Sequence, residues 1–315
     1  MVDMEQADPI FIHGILPRSG TNFLWDLLLL HPDCAPAVDP VREDLFLDRS
    51  EHLVAFAEAV RGAWDPRWGE VGPELVRRLD AAIGEGLLSF LWADRARRLV
   101  SKSPSVHNLE RFFCFFPTAR LLVLIRDGRA VTQSCMDTFG WDFERAARAW
   151  AEAAREIERF GVTHAERADR WRVVRYEDLV DDLDGTLPGI LRFAGLDPST
   201  YDMEAARALP VRGSSTYFGP GRSSVHWEPV EKGPAFSPSR RWLSWSPRQL
   251  ERFEWIAGDE HRALGYGGEG TPRRPASPRH VLLDGWWRTR GAAWRARARL
   301  GAASRPLRRR LGLTR

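Results

Sequence analysis

The sequence predicts an α/β fold of three layers: a mostly parallel central sheet with helices on both faces, and a phosphate-binding strand–loop–helix near its start. Three observations carry this. Strand-like and helix-like segments alternate along the chain, the order that lays helices over both faces of a parallel sheet. Residues 120–126, RLLVLIR, form a continuous apolar run of the kind a strand buried on both faces shows. Between the β-rich segment PIFIHGIL (9–16) and the apolar segment NFLWDLLLLH (22–31) sits the tight turn PRSGT, so the turn lies where a helix begins.

The elements follow in order. Residues 9–16 alternate and read as a strand. Residues 22–31 read as a buried helix that stops at Pro32. Residues 51–61 and 73–98 read as amphipathic helices on either side of an Asp65-Pro66 break. Residues 120–126 form the buried strand, 130–136 and 143–164 are helical, and 171–176, WRVVRY, is a strand that runs into a helix at Glu177. A helix over 184–196 ends at Gly195. Residues 209–240, rich in Gly, Pro and Ser, read as a long functional loop. Residues 247–264 form a last globular helix, ended by Gly265.

The 315 residues fit one large domain. A chain of this length buries about three quarters of its unfolded surface without disulfides or metals. Three cysteines, Cys34, Cys114 and Cys135, are too scattered for a disulfide framework or a zinc site. No stretch approaches the ~20 apolar residues of a membrane span, and the first residues carry acids where a signal peptide carries Lys or Arg. A cytoplasmic location is expected. The net charge of +3 conceals an asymmetry. Residues 271–315 hold 13 Arg against one acid, Asp284, and the remainder carries an excess of nine acids. The division expected is a globular domain over 1–266, then a linker and a basic Trp/Arg-rich tail over 267–315.

The PRSGT turn suits an anion. The first turn of a helix presents unpaired N–H groups and about half a positive charge. Gly20 admits close backbone approach, Thr21 and Asn22 add donors, and Arg18 offers a planar fork. A Mg-dependent nucleotide kinase would use GxxxxGK followed by Ser or Thr. Here Gly14 to Gly20 is one residue too long, and Thr21 stands in the place of the lysine.

PRSGTNF, with the strand before it and HPD after its helix, resembles the 5′-phosphosulfate loop of sulfotransferases that use 3′-phosphoadenosine 5′-phosphosulfate (PAPS). Arg126 and Ser134, in LIRDGRAVTQS, resemble the pair that holds the 3′-phosphate in that family. SKSP at 101–104 is similar to the KDP stretch of the tyrosylprotein branch, and VVRYEDLV at 173–180 to a strand and turn of the carbohydrate and tyrosylprotein branches. The resemblance covers roughly residues 9–265. The resemblance implies a PAPS-dependent sulfotransferase that needs no metal and releases 3′,5′-ADP (PAP).

Carried over residue by residue, Arg18, Ser19, Gly20, Thr21 and Asn22 hold the 5′-phosphosulfate, Arg126 and Ser134 the 3′-phosphate, and Tyr176 and Arg241 complete the pocket. Arg129, Ser223, Ser224 and Arg240 are further candidates. Lys102 resembles the family's catalytic lysine, and Arg18 assists it. The acceptor needs a general base within hydrogen-bond reach. HPDCAPAVDPVREDLFL offers Asp39, Glu43 and Asp44. Asp39 matches the tyrosylprotein spacing; Glu43, in PVRE before an apolar run, matches the carbohydrate and bacterial branches and is the choice. The acceptor class stays open among small molecules, glycans, lipids and peptides. A kinase, or an inactive relative that binds membrane or nucleic acid, is the alternative.

The tail sets Leu283, Trp287, Gly291, Trp294 and Ala298 at helical spacing, with arginines off that stripe. This pattern fits peripheral contact with an anionic membrane, and specific nucleic-acid recognition is not expected. The linker shows no apolar periodicity, so the tail is expected to be separable from the body.

Overall fold

The computed structural model describes residues 8–69, 72–212, 229–230, 242–267 and 277–289. In chain order the elements are β1 (Ile10–Gly14), α1 (Thr21–Leu29), β2 (Cys34–Pro36), α2 (Ser50–Ala63), α3 (Pro73–Leu91), β3 (Arg98–Ser103), α4 (Phe112–Phe115), β4 (Arg120–Ile125), α5 (Gly128–Phe139), α6 (Phe143–Thr163), β5 (Trp171–Arg175), α7 (Tyr176–Asp181), α8 (Leu183–Phe193), α9 (Met203–Ala208), β6 (Val211–Arg212), β7 (Pro229–Val230) and α10 (Pro247–Ala263). A last helix, α11, spans 278–289.

Five strands form one sheet in the order β2-β3-β1-β4-β5, and every pairing in it is parallel. The alternation along the central strands divides the interior into two cores. Ile10, Ile12, Leu122 and Leu124 face α1 and α8, meeting Phe23, Leu24, Leu27, Ile190 and Leu191. Phe11, Leu121 and Val123 face the other way, toward Phe112, Phe116, Val131, Trp150 and Phe253 of α4, α5, α6 and α10. That is the three-layer architecture the sequence predicts.

All five strands end on one edge of the sheet. The chain leaves β1 toward β2 and β3 on one side and later adds β4 and β5 on the other. The order therefore reverses at β1, where open α/β sheets form their ligand crevice.

Four short strands escape the sequence pattern: β2, β3, and the antiparallel pair β6–β7 inside the segment read as a long loop. The helix expected over 73–98 stops at Leu91. There Trp92 turns away and its indole N–H donates to the Asp94 and Arg97 carbonyls at 2.9 and 2.8 Å. Residues 98–103 then enter the sheet as β3, between β1 and β2. Parallel pairing joins residues far apart in sequence and leaves little local signal.

The tail also departs from expectation at its start. Asp284 of α11 accepts hydrogen bonds from Arg148 at 2.5 Å, Arg252 at 2.7 Å and the Trp255 indole at 3.0 Å. His280 is 2% exposed and stacks on Trp255 with ring centroids 5.1 Å apart. Residues 278–289 are thus docked on α6 and α10. This contact runs against the expected separability: it is made by one acid and one histidine that lie off the Leu283–Trp287 stripe, and Trp287 of that stripe faces the body under the Arg148 guanidinium rather than solvent. Among the described residues no helix is long and apolar enough to cross a membrane.

Candidate functional site

The loop after β1 is built to turn tightly. Ser19 is fully buried, and its hydroxyl donates to the Leu16 carbonyl at 2.8 Å. Its side chain therefore shapes the turn in this structure. Gly14 makes room for this arrangement, since a Cβ there would lie 2.3 Å from Ser19 Oγ. Gly20 caps α1 at φ 99, and the Tyr176 ring closes over it so nearly that a Cβ would lie 2.3 Å from a ring carbon. Thr21 is buried and Asn22 half-buried in the first turn of α1.

Tyr176 has a second neighbour. The Arg126 guanidinium lies 4.7 Å from its ring centroid, within cation–π range. The ring, 2% exposed, is wedged between the loop glycine and the arginine at the end of β4. It fixes the spacing between the loop after β1 and the end of β4. Arg126 donates to the Arg18 carbonyl at 2.6 Å, and Arg18 Nε donates to Ser134 Oγ at 3.0 Å. The two groups of residues assigned to separate phosphates therefore meet: Arg18 of the loop touches Ser134 of α5.

Behind Arg126 lies a polar scaffold that the sequence reading missed. Glu177 accepts from the Asp127 amide at 3.0 Å and from the Tyr266 hydroxyl at 2.9 Å. Asp127 accepts from Arg129 and bonds His261 at 3.1 Å. Burial pushes the Asp127 carboxyl up, but the bonds to His261 and Arg129 outweigh it and hold the group well below the usual carboxylate range. Arg129 is turned to Asp127 and lies 3.8 Å from the Trp242 ring centroid, so it braces this scaffold. A trace of it shows in the sequence as RDG followed by RYED, charges crowded at two strand ends.

Lys102, on β3 beside Ile12 of β1, is 4% exposed and pairs with Glu43 at 3.2 Å. Burial pushes the Lys102 ammonium below its ordinary value, and the Glu43 carboxylate opposes that shift, with smaller support from Asp26 and Asp44. Of the three carboxylates weighed as base, Glu43 alone bonds Lys102. Asp39 is 86% exposed and paired with Arg42. Asp44 is buried and committed: its carboxylate accepts from Ser101 Oγ at 2.5 Å and from the Phe46 amide at 3.1 Å. Its own amide donates to the Lys102 carbonyl at 3.1 Å. Burial raises the Asp44 carboxyl above its ordinary value. Asp44 thereby staples residue 43 against residue 102.

Trp25 of α1 walls this pair. Its ring centroid lies 5.9 Å from Lys102 Nζ, and its indole N–H donates to the Val100 carbonyl at 3.1 Å. Trp25 and Asp26 were not singled out from the sequence as site residues, although a lone acid within FLWDLLLL is a signal. Arg241, Arg240, Ser223 and Ser224 lie outside the described residues. Among the described residues no group of three or more His, Cys, Asp or Glu could hold a metal ion.

The crevice thus combines a helix N-terminus, two arginines and a buried lysine paired with a half-buried carboxylate, an arrangement suited to a polyanionic donor and to proton removal from an acceptor. A model of the sulfotransferase family matches residues 9–200. Protein-tyrosine sulfotransferase 1 of Danio rerio is 24% identical over 293 residues, covering 87% of this chain and 77% of that protein. The protein-tyrosine sulfotransferase of Drosophila melanogaster is 29% identical over 197 residues, 58% of this chain and 37% of its own length. The sulfotransferase domain from the Synechococcus PCC 7002 olefin synthase shares the fold, with a TM-score of 0.52 and 24% identity over 84% of this chain and 98% of that one.

Proposed function

The chain belongs to the sulfotransferase family, and from that premise we propose that it moves the sulfuryl group of PAPS to an acceptor hydroxyl, less readily an amine, using Lys102 and Glu43. The observation that carries this reading is the pair of buried Lys102 and half-buried Glu43, 3.2 Å apart, at the carboxyl edge of the sheet.

The roles follow from the charges. PAPS brings about four negative charges, and sulfuryl transfer, like phosphoryl transfer, proceeds through a loose in-line transition state governed by positioning and electrostatics. The amides of Gly20, Thr21 and Asn22 and the Arg18 fork hold the 5′-phosphosulfate. Arg126 and Ser134 hold the 3′-phosphate, with Tyr176 as the spacer between the two arms. Lys102 donates to the oxygen that bridges phosphorus and sulfur, where charge builds as that S–O bond breaks. Glu43, released from Lys102 by the donor, takes the acceptor proton as the acceptor oxygen forms its bond to sulfur. PAP and the sulfated acceptor are the products, and no metal takes part.

The acceptor hydroxyl belongs to a small molecule, glycan, lipid or tyrosyl peptide; the names of the two relatives favour a tyrosyl hydroxyl. Arg241 is assigned to the nucleotide on the motif resemblance. The reading extends to a cytoplasmic body over residues 1–266 whose C-terminal segment touches an anionic membrane peripherally.

Thermal unfolding with PAP, and separately with ATP and Mg, tests the donor assignment. A ligand that binds only the folded state stabilises it by about 2.7 kcal/mol at a hundredfold excess over its dissociation constant. PAP should raise Tm without metal. A shift with ATP–Mg and none with PAP would replace this reading with a nucleotide kinase.

A further inference from the structure

Helix α11 has two unlike faces. The inward one carries His280, Asp284 and Trp287. Asp284 is bound by Arg148, Arg252 and Trp255, His280 bonds Glu251 at 3.1 Å, and Trp287 lies under the Arg148 guanidinium at 5.9 Å. The outward one carries Val281, Leu282 and Trp286, exposed to 59, 75 and 56%, with Gly285 and Thr289 on the same side. A helix fixed to a body by polar groups while it presents Val, Leu and Trp to solvent inverts the usual arrangement.

The chain that follows states what covers that face. Residues 290–315 contain nine Arg and no acid. We propose that the outward face of α11 is a bilayer-contact surface for anionic phospholipid. Val281, Leu282 and Trp286 enter the interfacial zone, and the arginines after residue 289 bind the headgroups. Trp with aliphatic neighbours suits the boundary between acyl chains and headgroups, and basic residues next to an apolar anchor add attraction to anionic lipid. A polyanionic nucleic acid would use the arginines and leave the aliphatic face in water. A second copy of this chain would bring two such arginine runs together.

This inference rests on the reading that the C-terminal segment touches a membrane and adds which surface makes the contact. It also fixes geometry. Because Asp284 and His280 clamp α11 to α6 and α10, the membrane holds the catalytic body in one orientation rather than on a flexible tether.

Co-sedimentation of the full chain with phosphatidylcholine vesicles, with and without phosphatidylserine, tests it. Two variants accompany the wild type: Val281→Ser/Leu282→Ser/Trp286→Ser, and a chain ending at residue 289. Wild type should sediment with phosphatidylserine vesicles, and high salt should release it. The triple variant should bind at least about tenfold more weakly, with its response to PAP unchanged. The chain ending at residue 289 should also lose most binding. If wild type ignores phosphatidylserine vesicles, the membrane reading itself falls. If the triple variant sediments like wild type while the shortened chain does not, the contact belongs to the arginines alone and the surface assigned here is wrong. Light scattering adds one more way to fail: a wild-type dimer that the triple variant dissolves would show that a second copy covers the face.

Discussion

Replacing Gly20 with alanine should damage the donor cradle through one steric conflict whose size follows from the coordinates. A Cβ at Gly20 would lie 2.3 Å from Tyr176 Cδ2, where carbon atoms prefer about 3.5–4.0 Å. The ring cannot retreat. It is 2% exposed, its far side faces the Arg126 guanidinium at 4.7 Å, and Phe23 packs edge-on at 6.4 Å. Overpacking of this kind costs about 1–3 kcal/mol. The left-handed backbone at φ 99 adds about 1 kcal/mol for a residue with a side chain. Gly20→Ala should therefore lose about 2–4 kcal/mol, most of it in the loop, so the PAP-induced rise in Tm shrinks further than apo stability falls. Tyr176→Ala alone should cost about 3 kcal/mol through lost packing. If the conflict is with the ring, the double variant should be less unstable than the sum of the two singles by about 1–3 kcal/mol, leaving only the backbone strain at position 20. The assay is urea unfolding of wild type, both singles and the double, with and without PAP. Additivity within about 0.5 kcal/mol would refute the wedge and the spacer role assigned to Tyr176.

Glu43→Gln should slow turnover by about 10²–10⁴-fold while leaving PAP affinity near wild type; Asp39→Asn should be silent in single-turnover assays, and a slow Asp39→Asn with a fast Glu43→Gln would move the base. Lys102 must be charged to assist the leaving oxygen and burial lowers its pKa, so activity should fall with rising pH before an ordinary lysine would titrate; in Lys102→Arg that alkaline limb of the pH–rate profile should disappear. Asp284 anchors α11. Burial pushes its carboxyl up, but bonds from Trp255, Arg252 and Arg148 outweigh it and hold the pKa at about 2. A depressed carboxyl gives stability that is present above its unfolded pKa near 4 and lost as pH falls toward the folded value. With the side chain 21% exposed, screening leaves about 1–2 kcal/mol. Wild type should exceed Asp284→Asn in stability by that amount at pH 7 and converge with it near pH 2. Ending the chain before residue 277 should lower Tm, whereas ending it after residue 289 should not.

The parts of this protein legible in the sequence are those whose cause is local. Residues 10–14 read as a strand from their β-rich alternation, and 121–125 from a continuous apolar run, because that strand is buried on both faces. The helix after PRSGT, the helix over 143–163 and the helix starting at the Ser246–Gln249 capping box carry their periodicity and caps in adjacent residues. Arg18 and Arg126 could be named because strand–loop–helix grammar places them at the carboxyl edge of the sheet without knowledge of its order; Lys102 was named from the SKSP motif alone, since its strand left no local signal.

Tertiary structure decided the rest. Local sequence offered three carboxylates in one loop. The motif chose Glu43, and only the fold shows its contact with Lys102: Asp44 is drawn inward by Ser101 and the Lys102 carbonyl, a contact across 57 residues, while Asp39 stands in solvent. Ser19 looks like a ligand donor in the motif, yet its hydroxyl is taken by the Leu16 carbonyl. Tyr176 becomes a spacer only when β4, β5 and the loop after β1 meet. The helix read over 73–98 stops at Leu91, and residues 98–103, given no element from sequence beyond residue 98, form a strand because β1 and β2 lie on either side of them. The start of the tail is held at Asp284 by Arg148, 136 residues earlier in the chain, and by Arg252 and Trp255. Hydrophobic periodicity records burial along one element. A polar clamp between elements leaves single charged residues in the sequence, and these look the same as solvated ones until the fold brings their partners within hydrogen-bond distance.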